Sequence, residues 1–182
     1  MVDAVIEVID ARIPVSSRNP IIDELVQGKP RVIVLNKSDL ADSTACREWS
    51  DRFREEGSMC LAMNCMSGTG VKELFRLLEK MEAEKNKERA RQKPFRMMIV
   101  GVPNVGKSSL INRMTGRKSA QTGDRPGVTR GKQWLKLRNG MQLLDTPGIL
   151  WPKFEDPKAG MDLAFCGSIK DEILDLPTLG ME

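Results

Sequence analysis

Gly101-Val102-Pro103-Asn104-Val105-Gly106-Lys107-Ser108 fits the pattern G-x-x-x-x-G-K-[ST], a loop that wraps the phosphates of a nucleoside triphosphate. Its flanks agree. Phe95 to Val100 (FRMMIV) is a short apolar run that predicts a buried strand, and Ser109 to Met114 predicts the first turns of a helix. Gly101 and Gly106 let the backbone turn its N–H groups inward around an anion, and the helix start adds partial positive charge. Val105, Gly106, Lys107, Ser108 and Ser109 are the expected phosphate contacts. Lys107 reaches the outer phosphates, and the Ser108 hydroxyl is placed to ligate Mg²⁺. Strand, loop and helix predict an α/β P-loop NTPase fold, three layers around a mostly parallel central sheet. The unusual feature is position, since the loop lies past the middle of a 182-residue chain.

Working back from the loop, Val2 to Ile9 (VDAVIEVI) predicts a strand, followed by Asp10-Ala11-Arg12-Ile13-Pro14 and Ser16-Ser17-Arg18-Asn19-Pro20 as a loop at its carboxyl end. A short helix, Ile21 to Val26, stops at Gly28. Arg31 to Leu35 is a second buried strand, which runs into Asn36-Lys37-Ser38-Asp39. That tetrapeptide has a mechanism as a guanine reader. The Asp39 carboxylate accepts from both the ring N–H and the exocyclic amino group, a donor pair that adenine lacks. Asn36 can bond the base edge and tie down neighbouring loops, and the Lys37 stem can lie across the base plane. The plainer alternative, Asp39 as an ordinary helix cap, loses force beside a phosphate loop in the same chain. Ser43 to Glu56 predicts a helix with Trp49 and Phe53 turned to the core, and Ser58 to Met63 a third strand. Asn64 and Cys65 then open a loop whose main-chain N–H groups could back the guanine.

From Gly70 a long helix is predicted, with Val71, Leu74, Leu78 and Met81 as an apolar stripe. It passes into the charged segment EAEKNKERARQK, a solvated helix end or tether. Beyond the phosphate loop, Thr115 to Arg130 reads as a mobile segment. Within it Thr129 is the candidate for a hydroxyl on Mg²⁺ and an amide on the γ-phosphate. Gln133 to Leu137 and Met141 to Leu144 predict a hairpin turning at Asn139-Gly140. Its second strand delivers Asp145-Thr146-Pro147-Gly148, with Asp145 holding Mg²⁺ through water and the Gly148 amide meeting the γ-phosphate. Ile149 to Pro157 continues the mobile segment, Lys158 to Ile169 predicts a helix, and Asp171 to Glu182 shows no element.

Composition bounds the partners. A chain 40% hydrophobic and 30% charged suits a globular domain, and no apolar run approaches the ~20 residues of a membrane span. No basic-then-apolar leader is seen at the N-terminus, so none is expected. Four cysteines without CxxC spacing, and no histidine, exclude the zinc sites that need histidine and point to reduced thiols in a cytosol-like compartment. Residues 85–138 carry 15 Lys and Arg against Glu88 and Asp124, a local +13 that leaves −9 elsewhere. Such asymmetry suits a polyanionic partner such as RNA.

Taken together, the motifs resemble the TRAFAC-class GTPases with their order rotated: the guanine reader and the Asn64 loop come first, and the phosphate loop, Thr129 and DTPG follow. A circular permutation is physically reasonable, because both halves are strand–loop–helix units that feed one carboxyl edge of a sheet. Within that class, DARIP followed by SSRNP resembles the ribosome biogenesis GTPase A (YlqF) family and its mitochondrial relatives.

The resemblance implies a circularly permuted GTPase domain over 1–165, linked across 80–94, with 166–182 opening a C-terminal domain. It also implies GTP and GDP as ligands, Mg²⁺ as cofactor, and slow hydrolysis coupled to late maturation of the large ribosomal subunit and its rRNA. The matching place of action is the bacterial cytoplasm, or alternatively the mitochondrial matrix, for a monomer. Lys107, Thr129, Gly148 and Asn104 take the catalytic roles, with Asn104 holding a K⁺ ion near the phosphates. Ile149 stands where many GTPases place a water-orienting glutamine, so low intrinsic turnover is expected. The alternative reading is a GTP-gated RNA or ribosome binding module with negligible turnover.

Overall fold

The computed structural model describes residues 2–26, 28–87, 93–116, 133–137, 139–148, 150 and 156–169. Thr129, Ile149, both segments expected to be mobile, the middle of the 80–94 link and the tail after 170 fall wholly or largely outside these residues. Among these residues six strands form one sheet: β1 Ala4–Asp10, β2 Arg31–Asn36, β3 Met59–Ala62, β4 Arg96–Val100, β5 Gln133–Lys136 and β6 Gln142–Asp145. Their order is β3-β2-β1-β4-β6-β5. Every neighbouring pair is parallel except β5 with β6, the predicted hairpin. Gly140, at φ 88, supplies its turn.

Among the described residues the α-helices are α1 Pro20–Leu25, α2 Ser43–Glu55, α3 Val71–Lys87, α4 Lys107–Thr115 and α5 Pro157–Phe165. Local chemistry sets their starts. Asn19 caps α1 with Pro20 as its first residue, Asp42 accepts from Thr44 and Ala45 N–H at 2.9 and 2.8 Å, and Asp156 caps α5 before Pro157. The tether question resolves in favour of helix as far as Lys87.

All seven residues of β1 are buried, as a central parallel strand requires. Alternation divides its side chains between two layers. Ala4, Ile6 and Val8 join Leu74, Leu78 and Met81 of α3 and Leu110, Ile111 and Met114 of α4. Ile9, with Ile33 and Leu35, meets Cys46 and Phe53 of α2, and Val5 meets Ile22 of α1. Leu78 is fully buried, so truncation to Ala costs about 2–5 kcal/mol. Trp49 packs against this second layer, as expected, but only in part. It is half-buried at the rim, its ring tilted against Phe53 at 5.7 Å with the Arg52 guanidinium 5.2 Å from its ring.

The first strand starts later and ends later than its sequence pattern suggests, at Ala4 and Asp10. β1 carries two polar residues, Glu7 and Asp10. Glu7 lies buried within β1, and Arg31 (3.2 Å) and the more distant Arg18 (3.6 Å) face it. Burial raises its carboxyl above the ordinary range, with the two arginines opposing. Asp10 remains in register with Asn36, and both end at the same edge of the sheet.

Candidate functional site

Because β1, β2, β3, β4 and β6 run parallel, their carboxyl ends open on one edge, where open α/β sheets hold ligands. The phosphate loop leaves β4 there. A Cβ on Gly101, at φ 149, would stand 2.3 Å from the Val8 carbonyl, so the loop passes too close to β1 for a side chain. Gly106, at φ 102, would place a Cβ 2.2 Å from Asn36 Nδ2. Gly106 also occupies the cap position of α4 without a side-chain capping bond. The first-turn N–H groups of that helix therefore face the loop's concavity, the arrangement that takes an anion.

Asn36 joins the two halves of the site. Its Nδ2 donates to the Val105 carbonyl at 2.6 Å, and its Oδ1 accepts from Cys65 N–H at 2.9 Å. One buried amide thus bridges the guanine-reading loop, the phosphate loop and the loop after β3. Lys37 takes a left-handed conformation at φ 60, and Ser38 is pinned by its N–H and its hydroxyl, both donating to the Met63 carbonyl at 3.1 and 2.9 Å. Asp39 follows on an exposed 3₁₀ turn, Ser38–Leu40, with its carboxylate open to a base.

At the phosphate end, Lys107 is buried and donates to the Gly101 and Val102 carbonyls at 3.0 and 2.8 Å. Burial pushes its ammonium down to about 8, and Asp145 opposes that shift. Asp145 closes β6. Burial raises its carboxyl, and its Oδ1 is buried without a hydrogen-bond partner among the described residues. A buried carboxylate oxygen left this way fits a hydrated cation, with Ser108 half-buried at the start of α4 as the second oxygen donor. Thr146 fixes the turn by donating to the Ile99 carbonyl at 2.6 Å. Gly148 then passes against the phosphate loop: a Cβ there would meet Lys107 Nζ and Pro103 Cα at 2.8 Å each. Asn104, at φ 57, donates through Nδ2 to the Gly167 carbonyl at 2.6 Å.

The loop after β3 is built differently from a simple row of amides facing a base. Asn64 Oδ1 accepts from Met66 and Ser67 N–H at 2.9 and 3.0 Å, so its side chain closes its own turn. The Cys65 N–H is committed to Asn36, and burial pushes the Cys65 thiol up to about 12. Arg113 of α4 holds this loop from below, donating through Nε to the Cys65 carbonyl at 3.2 Å and through Nη2 to Met66 O. Ser109 Oγ lies 3.7 Å from Met66 Sδ. Arg113 and Ser168, whose hydroxyl donates to the Pro103 carbonyl at 2.8 Å, escaped sequence reading. A basic residue on a helix and a serine in a tail carry no local signal of a distant carbonyl.

Lys107 gives a pH dependence. Its ammonium must be charged to meet phosphate, and in the free chain it is half charged at about pH 8. Nucleotide affinity is therefore expected to be flat below pH 8 and to fall above it, by up to about tenfold per pH unit. Calorimetric titration with GDP at pH 8.5, in buffers of different ionisation enthalpy, should register proton uptake. Equal observed heats in all the buffers would contradict it.

Residues 96–176 match a family described as 50S ribosome-binding GTPase. Ribosome biogenesis GTPase A of Priestia megaterium is 50% identical over 181 residues, covering 97% of this chain and 63% of that protein. Mitochondrial ribosome-associated GTPase 1 of Mus musculus is 42% identical over 189 residues, covering 98% and 58%. The chain thus spans less than two thirds of the length of these curated relatives. A solved GDP-bound YlqF superimposes with a TM-score of 0.72 at 31% identity, over 98% of this chain and 67% of that one. GNP-bound YlqF from T. maritima gives 0.69 at 29% identity, over 99% and 66%. The early guanine reader and late phosphate loop have their explanation in descent, for this chain belongs to the ribosome biogenesis GTPase A (YlqF) family of circularly permuted GTPases.

Proposed function

We propose that this chain is the GTP-binding and GTP-hydrolysing domain of a protein that assists late assembly of the large ribosomal subunit. The observation that carries the reading is the Asn36 bridge, which ties a guanine reader to a phosphate loop at one sheet edge. The printed names of the relatives supply the ribosomal partner, and the basic segment 85–138 suits rRNA. The same names support a bacterial cytoplasm or a mitochondrial matrix as the place of action. The domain is drawn through Ile169, a little past the boundary at 165, because Ser168 and Ile169 are buried and Ser168 bonds to the phosphate loop. The link across 80–94 joins its two halves, and a further domain after it is part of the proposal.

In this reading Asp39 selects guanine, and the amides of Val105 to Ser109 cradle the phosphates. Lys107 leaves its two carbonyls to meet the outer phosphates, and Gly148 N–H binds the γ-phosphate. Ser108, Asp145 and Thr129 would hold Mg²⁺, which neutralises charge on the β- and γ-phosphate oxygens. Asn104 is proposed to help hold K⁺ beside the same phosphates, adding charge where it develops in the transition state. Asn64 and Cys65 serve the guanine pocket through the shape of their loop, since the Cys65 amide already bonds Asn36.

The test is single-turnover hydrolysis of GTP by the full-length protein, with and without large ribosomal subunits, in K⁺ and in Na⁺. Faster turnover on adding subunits is expected. So is a K⁺ advantage that Asn104→Ala removes. A rate unmoved by subunits would favour the second reading, a GTP-gated binding module, to which Ile149 in place of a glutamine gives its support. Equal rates in the two salts would sink the role of Asn104.

A further inference from the structure

Asp-Ala-Arg-Ile-Pro, residues 10–14, marked the family in the sequence yet has no part in the chemistry above. We infer that Asp10 is a positioning residue for base recognition: through an ion pair at 2.8 Å it holds the Lys37 ammonium so that the lysine stem is set for the guanine ring. The inference rests on the guanine-nucleotide reading just given.

The geometry builds from the sheet. Asp10 is the last residue of β1 and lies in register with Asn36, the last residue of β2. Lys37 follows at φ 60, a conformation that few side-chain-bearing residues adopt. The turn brings its side chain back to β1, where Asp10 Oδ2 receives Lys37 Nζ. The Asp10 side chain is 2% exposed. Its four donors are Lys37 Nζ at 2.8 Å and, from Arg12, the backbone N–H at 3.1 Å, Nε at 2.9 Å and Nη2 at 2.7 Å. Burial works against the charge, and the bonds from Arg12 and Lys37 nonetheless hold the Asp10 carboxyl below its ordinary range. Its backbone is fixed as well: Asp10 N–H donates to Ser17 Oγ at 3.0 Å, and Ala11 N–H donates to the Asn36 carbonyl at 2.8 Å.

Arg12 therefore locks the carboxylate, and the locked carboxylate locks the lysine. A free lysine stem would have to be ordered when the base arrives, and a stem ordered beforehand removes that cost from binding. This assigns the two charged residues of DARIP to recognition of the base.

The test measures GDP, ADP and inorganic pyrophosphate binding to the full-length protein by displacement of a fluorescent GDP. Asp10→Asn and Lys37→Met are each expected to weaken GDP about tenfold, through loss of a charge-assisted bond. Combined, they should weaken it no more than either alone, because one acts through the other. Pyrophosphate, which uses only the phosphate loop, should stay within about twofold of wild type. Should Asp10→Asn fail to fold, Asp10→Glu keeps the charge, displaces the carboxylate, and must show the same split between GDP and pyrophosphate. Unchanged GDP affinity, losses that add in the double variant, or a parallel fall in pyrophosphate would overturn the inference. A wild-type protein that does not bind GDP would instead overturn the nucleotide reading beneath it.

Discussion

Asparagine in place of Asp39 is expected to reverse base preference, with GTP losing about a hundredfold in affinity as one or two charge-assisted hydrogen bonds go, together about 3 kcal/mol. The reasoning is donor against acceptor. A carboxylate offers only acceptors, and guanine presents two donors side by side, the ring N–H and the amino group. An amide offers one acceptor and one donor. Xanthine, with a carbonyl where guanine has its amino group, matches that pair. The structure makes the exchange clean. Asp39 is exposed on the 3₁₀ turn, and Ser38 before it is held twice by the Met63 carbonyl, so the substitution disturbs no packed neighbour. Competition between GTP, XTP and ATP at fixed Mg²⁺ checks it. Xanthine nucleotide should gain roughly what guanine loses. An adenine-specific site would show no change in any of the three, and that outcome would end the guanine reading.

What could be read from sequence is what local chemistry specifies. A glycine loop between an apolar strand and a helix, and an Asn-Gly turn between two strands, each declare themselves within a few residues. The order of motifs then carried the permuted topology, since every motif had to reach one carboxyl edge. Partnerships across the sheet were less legible. Asn36 was expected to tie down loops, but its two partners, Val105 and Cys65, are set by the parallel stacking of β1, β2 and β4. Asp10 and Lys37 meet only because strand register places Asp10 beside Asn36. Glu7 is a buried carboxylate faced by two arginines supplied by other segments. The same holds for the carbonyls that receive Arg113, Asn104 and Ser168. Each is a backbone oxygen, invisible in a sequence until the chain is folded.

Asn36→Ala tests how much of the site depends on its single bridging amide. The change strands the Val105 carbonyl and the Cys65 N–H, both bonded only through Asn36 in the contacts described above. A buried polar group left unsatisfied costs about 1–3 kcal/mol, so the pair should lower stability by roughly 2–5 kcal/mol. For a domain of this size that is a fall in Tm of roughly 5–15 °C. The nucleotide effect should be larger than stability alone explains. Asn36 Nδ2 is also the atom that crowds Gly106, so its loss lets the phosphate loop and the guanine reader move independently. GDP should then contact both loops only by ordering them first, and its stabilising shift in Tm should shrink or vanish. Asn36→Asp keeps the acceptor for Cys65 N–H but sets a buried carboxylate oxygen against the Val105 carbonyl, so it should be no better than alanine in either measurement. Thermal unfolding of the three proteins with and without saturating GDP distinguishes the cases. A Tm within about 2 °C of wild type together with an undiminished GDP shift would show that the two loops are held in place separately, and that the bridge is not what assembles the site.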